Sequence, residues 1–149
     1  MAKSKKQEFA DLTLLGNKKA QPSKKLEAFP NRAPGRYYLV TLESNEFTCL
    51  CPITGQPDFA TIYVEYVPDE KIVESKSFKL YLWSYRNEGV FHEHVVNMML
   101  DDLVKALDPH YCRVIGYFNV RGGIAITVDA EHVKTPEAKE AVKERLKVR

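Results

Sequence analysis

The sequence predicts an α+β domain, a four-stranded antiparallel sheet with two helices on one face, in the order β-β-α-α-β-β. Three observations lead there. Ile62, Val64 and Tyr66 alternate with polar neighbours, as do Ile124, Ile126 and Val128, the period-2 pattern of half-buried strands. Between those two regions, Val95, Val96, Met99, Leu100, Leu103, Val104 and Leu107 recur at helical spacing. The connections within each strand pair are short, as hairpins require. At 149 residues, 44% hydrophobic and 28% charged, the chain has the size and composition of one globular domain.

The elements follow in order. Residues 1–30 read as a Lys-rich arm, flexible in part, with one apolar cluster at Leu12–Gly16 expected to dock on the domain; Pro30 and Pro34 mark the entry to the core. The domain proper is expected over 31–132. Arg36–Leu42 is rich in β-branched and aromatic residues and reads as a strand. Phe47–Phe59, broken by Pro52, Gly55 and Pro57, reads as a loop, and Ala60–Val67 as the second strand. A short helix is expected within Glu74–Arg86. The long helix runs from His92 to Leu107 and is stopped by Asp108-Pro109. Tyr111–Val120 and Ile124–Asp129 close the sheet through a tight turn at Arg121-Gly122-Gly123. Residues 133–149 read as a charged tail or exposed helix. A sheet covered on one side leaves two open edges and a bare face, which predicts association with further copies.

Charge is unevenly spread. Residues 1–25 carry seven lysines against Glu8 and Asp11, so the arm is strongly basic while the rest of the chain is net acidic. A nucleic-acid binder concentrates positive charge on its folded part, so direct nucleic-acid binding is not expected. No apolar run approaches the ~18 residues of a membrane helix, and no signal peptide is visible, so a cytoplasmic protein is expected. Three cysteines in that compartment read as thiols.

Three stretches hold residues suited to chemistry. Cys49-Leu50-Cys51-Pro52 places two thiols two residues apart. They can be inert core thiols, half of a metal site, or include a nucleophile at Cys51, where a Pro- and Gly-punctuated loop begins. The metal reading lacks a second ligand pair at a familiar spacing. Asp58, seven residues on, stands close enough to exchange a proton if the loop folds back. Phe91-His92-Glu93-His94 opens the long helix. Glu93 there either complements the helix dipole or accepts two parallel N–H bonds from a guanine-like edge. In Glu74-Ser75-Lys76-Ser77-Phe78-Lys79-Leu80-Tyr81, two lysines three apart with the hydroxyls of Ser75 and Ser77 at a helix N-terminus form either a solvated polar face or a phosphate site. No Gly-rich dinucleotide loop exists.

Together these stretches resemble the NADPH-dependent 7-cyano-7-deazaguanine reductases, the nitrile reductases of queuosine biosynthesis in tRNA modification, in their short single-module form. Residues 74–81 look like the family signature. Leu12–Gly16, Glu46–Pro52, Thr54–Ala60, Arg86-Asn87, Phe91–Glu93 and Arg121–Gly123 look like the same family, in the same order along the chain. The resemblance implies the tunnelling fold (T-fold), whose units pair edges into homo-oligomeric rings with sites between subunits. It implies that Cys51 is the nucleophile forming a thioimide, that Asp58 is the general acid, and that Glu93 with His92 binds 7-cyano-7-deazaguanine. It further implies NADPH as cofactor, held by Lys76, Lys79 and Arg121 with Ser75 and Ser77 beside them. Phe91 would stack on a ring, and no metal is implied. Cys49 takes no transferred role, and a direct bridge between it and Cys51 would be strained. A zinc-dependent pterin-type cyclohydrolase of the same fold and a non-catalytic RNA-binding module are the alternatives.

Overall fold

A computed structural model describes residues 9, 11–16 and 19–147. The main sheet has four antiparallel strands in sequence order: β2 (Val40–Leu50), β3 (Pro57–Val67), β5 (Tyr111–Arg121) and β6 (Ile124–Val133). A separate two-stranded sheet pairs β1 (Ala28–Pro30) with β4 (Lys71–Val73). Helix α1 (Ser75–Trp83) and helix α2 (His92–Leu107) lie between the two halves of the sheet in sequence, and α3 (Pro136–Val142) follows β6. The α+β class is therefore as expected.

Alternation decides which side of the sheet meets the helices. Phe47 and Cys49 of β2, Ala60, Ile62, Val64 and Tyr66 of β3, and Cys112, Val114 and Phe118 of β5 are buried together with Val95, Val96, Met99 and Leu103 of α2. Each Val, Leu, Ile, Met or Phe side chain among them contributes ~1.5–3 kcal/mol by leaving water. Asp108 ends α2 in the left-handed conformation (φ 45°), and its backbone N–H closes on the Val104 carbonyl. Gly122 and Gly123, with φ of 60° and 78°, form the two-residue β5–β6 turn that the sequence signalled.

Two expectations are corrected. The strand expected at Arg36–Leu42 begins at Val40 and runs on to Leu50, while β3 already starts at Pro57. Most of the expected loop at 47–59 is thus the top of a hairpin. Pro57 misled the reading because proline is tolerated as the first residue of a strand. The second face of the sheet is not wholly bare. Ala138 and Val142 of α3 pack on Val67 and Tyr111, Lys147 donates its backbone N–H to Glu65 at 2.7 Å, and its ammonium lies 3.3 Å from the Tyr63 ring centre.

The arm is tethered through Glu27, which is 4% exposed. Its carboxylate accepts the backbone N–H groups of Thr13 and Leu14 at 3.0 and 3.2 Å and the Thr13 hydroxyl. Glu27 in turn is locked to α1: its carbonyl accepts the Glu74 N–H at 2.8 Å, and its N–H donates to Ser77 Oγ at 3.0 Å. Residues 1–8, where much of the basic charge lies, are outside the described residues.

Candidate active site

The antiparallel order brings the β2–β3 turn and the β5–β6 turn to the same end of the sheet. The segment before α2 joins them there. Leu50 donates its N–H to Glu88 and accepts from Val90, at 2.9 and 3.0 Å, so residues 88–90 run alongside the end of β2. That pairing delivers the start of α2, with Phe91, His92 and Glu93, beside the Cys51 turn.

Cys51 is the first residue after β2. Its N–H donates to the Gln56 carbonyl at 2.8 Å and its carbonyl accepts from Gly55 at 2.9 Å, so residues 51–56 fold back tightly. The thiol is partly exposed and pulled down to about 7. The Thr54 hydroxyl is the leading cause, followed by the backbone N–H groups of Thr54 and Ile53, with the Arg121 guanidinium adding to them against some desolvation. Hydrogen bonds to the charged form favour it, so near neutral pH a large share of this sulfur is thiolate. The other two cysteines are inert by contrast. Cys49 and Cys112 are fully buried, and burial pushes their thiols up to about 11 and about 12.

Asp58 pairs with Cys49 across the β2–β3 ladder and is 7% exposed. One carboxylate oxygen accepts from Arg121 at 2.7 Å and the other faces His92 Nε2 at 3.2 Å. His92 is held flat against Phe118, with ring centres 3.8 Å apart and planes 9° from parallel. Arg121 also reaches Thr54 Oγ1 at 3.4 Å. Glu93 is exposed in the first turn of α2, and Phe91, 48% exposed, sits edge-on to His94. The structure therefore brings together Cys51, Asp58, His92 and Arg121, with Glu93 and Phe91 at the rim.

The helix expected to hold phosphates behaves differently in two respects. Glu74 caps α1 and fills its N-terminus, accepting the N–H groups of Lys76 and Ser77 at 2.7 and 2.8 Å. Ser77 is fully buried, its hydroxyl donating to the Glu74 carbonyl and accepting from Glu27. Neither the helix end nor Ser77 is thus open to a phosphate. Ser75 and Lys79 do face open space. With Arg86, Trp83, Phe78 and Leu82 they line a groove of about 680 Å³ against Leu42–Thr48 of β2. Sequence reasoning missed Thr54, Phe118 and Gly89 as parts of the site. Thr54 alone carried a signal, as a hydroxyl three residues from the thiol. Among the described residues, no cluster of three His, Cys, Asp or Glu is placed to hold a metal ion, and no helix is long and apolar enough to cross a membrane.

Comparison with known proteins shows the family. A family model described as QueF-like protein matches residues 57–137. The NADPH-dependent 7-cyano-7-deazaguanine reductase of Syntrophus aciditrophicus is 62% identical over 128 residues, covering 86% of this chain and 91% of that protein. The reductase of the same name from Thermomicrobium roseum is 59% identical over 117 residues, covering 78% and 91%. Among solved structures, an archaeosine synthase QueF-Like in the apo form aligns with a TM-score of 0.61 at 28% identity, covering 66% of this chain and 96% of that one. With a fold, a family match over more than half of its length and relatives at such identity all in agreement, the chain belongs to the QueF-like family of NADPH-dependent 7-cyano-7-deazaguanine reductases.

Proposed function

We propose that this chain reduces the nitrile of 7-cyano-7-deazaguanine to the aminomethyl group with two NADPH, through a covalent thioimide on Cys51, as a step of queuosine formation in tRNA. The observation that carries this reading is the thiol of Cys51, pulled down to about 7 and partly exposed where the Asp58–His92 pair converges. The thiolate attacks the nitrile carbon, a C–S bond forms, and the nitrogen takes a proton. Asp58 and His92, 3.2 Å apart, can hold and pass that proton and the second one the nitrogen needs. NADPH, when bound, supplies two hydrides in turn to the substrate carbon. When the C–S bond breaks, its electron pair returns to sulfur and the thiolate is restored. Glu93 offers two oxygens to the ring N–H and amine of the purine-like edge, which fixes the cyano group against Cys51.

The groove over α1 fits a phosphate-bearing dinucleotide by its chemistry. Lys79 and Arg86 both line it, and neither forms an ion pair with an acidic residue among the described contacts. Ser75 adds a hydroxyl, and Lys76 lies one helical turn from Lys79. Among the described residues, the outer edges of β2 and β6 have no strand beside them, and Val120, Ile124 and Val133 are exposed near the second edge. We assign these edges to pairing between copies, which would complete sites between subunits.

Mixing protein, NADPH and 7-cyano-7-deazaguanine while following nicotinamide absorbance tests the reading. Two NADPH should disappear per substrate, and Cys51→Ala should abolish both turnover and the protein adduct seen by mass spectrometry. Full turnover by Cys51→Ala would remove the thioimide from the mechanism.

A further inference from the structure

The resemblance assigns Arg121 to the phosphates of the cofactor, but its contacts lie elsewhere. It reaches from the last residue of β5 across the end of β3. One guanidinium nitrogen meets Asp58 Oδ1 at 2.7 Å and another meets Thr54 Oγ1 at 3.4 Å, and the positive charge adds the smallest of the contributions that lower the Cys51 thiol. It thereby ties the β2–β3 turn, which carries Cys51, to the strand that carries Asp58. We propose that Arg121, acting with Thr54, is a positioning residue for the nucleophile and its proton partner: it holds the Cys51 turn and Asp58 as one rigid unit and favours the ionised sulfur in the resting enzyme. This rests on Cys51 being the nucleophile.

The physical case is geometric. The guanidinium is planar and presents several donors in a fixed fork, so one side chain can satisfy a carboxylate, a hydroxyl and a thiolate at once. A lysine ammonium, a point charge, cannot hold all three in the same directions. The device works at both ends of the catalytic cycle. It raises the thiolate share before attack, and it receives the returning negative charge when the C–S bond breaks. The other ionisable groups near the Cys51 turn are Asp58 from β3, Cys49 from β2, Glu88 from the segment entering α2 and His92 at the start of that helix. The two carboxylates oppose the thiolate, Cys49 is a neutral buried thiol, and Arg121 is the cation set against the carboxylates.

The test is the pH dependence of Cys51 alkylation by iodoacetamide in the folded protein without substrate or NADPH, located by peptide mass spectrometry. Arg121→Met should move the midpoint upward, by less than Thr54→Val does. Thr54→Val should move it further in the same direction, and Arg121→Lys, which keeps the charge but loses the fork, should recover only part of the Arg121→Met shift. Steady-state kinetics should show the Arg121→Met loss chiefly in kcat. An unmoved midpoint in Arg121→Met, with the loss confined to a raised KM for NADPH, would return Arg121 to the phosphates and overturn the proposal. Should Arg121→Met fail to fold, Thr54→Val and Arg121→Lys decide: an unmoved midpoint in Thr54→Val overturns it. Because alkylation reads the sulfur directly, its outcome is separate from whether the chain reduces a nitrile.

Discussion

The backbone of Gly89 lies against Pro52, so close that a Cβ at position 89 would stand 3.1 Å from the Pro52 Cα. This contact seats the segment leading into α2 on the turn that carries Cys51. The first prediction follows from it. Gly89→Ala must push the two segments apart by a few tenths of an ångström, which displaces His92 and Glu93 relative to the sulfur. We expect kcat/KM for the nitrile to fall by about tenfold while the melting temperature changes little, since small misplacements of reacting groups are costly. Unchanged kinetics would show that this seat does not set the distance between thiol and substrate.

Cys51 should be the only fast thiol. At pH 8, a disulfide reagent added to the folded protein should release about one equivalent quickly, and Cys51→Ala should abolish that phase. Cys49 and Cys112, buried and with thiols at about 11 and about 12, should react only on unfolding. Two fast equivalents in the native protein would contradict the burial described for Cys49.

Adduct formation should follow the ionisation of the same sulfur. Because the thiol is lowered to about 7, the reactive form is lost as pH falls through that value. The rate of adduct formation should therefore drop about tenfold per pH unit well below 7 and level off above it. Stopped-flow measurement with 7-cyano-7-deazaguanine gives the profile directly, and a rate still climbing beyond pH 8.5 would place the thiol near its ordinary value.

Much of this was legible in the sequence, and what was not has a physical reason. The periodic apolar residues of α2 and the glycine pair at 122–123 report local geometry, and both read correctly. Pro57 and Gly55 suggested a loop because they break strands in general. Which side of the turn they serve depends on the ladder that β3 forms with β5, a contact set by distant residues. Asp58 was recognisable as a carboxylate near Cys51, but its guanidinium partner is 63 residues away in sequence. Ser77 looked like a phosphate ligand by neighbourhood. Only the tertiary packing reveals that Glu27 has taken its hydroxyl and that Glu74 has filled the helix end.

Glu27 gives the fourth prediction. Desolvation raises its carboxyl, but the bonds from Thr13, Leu14 and Lys25 outweigh that and leave it below the usual carboxylate value. The stability it adds is therefore complete above its ordinary range and is lost as pH falls through the lowered value. Glu27→Gln should cost about 1–3 kcal/mol in urea unfolding at neutral pH, with the difference from wild type shrinking in acid. Equal stability at neutral pH would mean that the arm contributes nothing to the folded domain.

The Cys51 turn and the β5–β6 turn are separated by nearly half of the chain yet meet at one end of the sheet. A nascent polypeptide that has emerged from the ribosome only through its first hundred residues already contains Cys51, but not the guanidinium from position 121. Its thiol has the neighbouring Thr54 and Ile53 groups in sequence but lacks the guanidinium. The clamp on Asp58 and Thr54 arrives only with the last pair of strands, so the site is complete only once the whole sheet has formed.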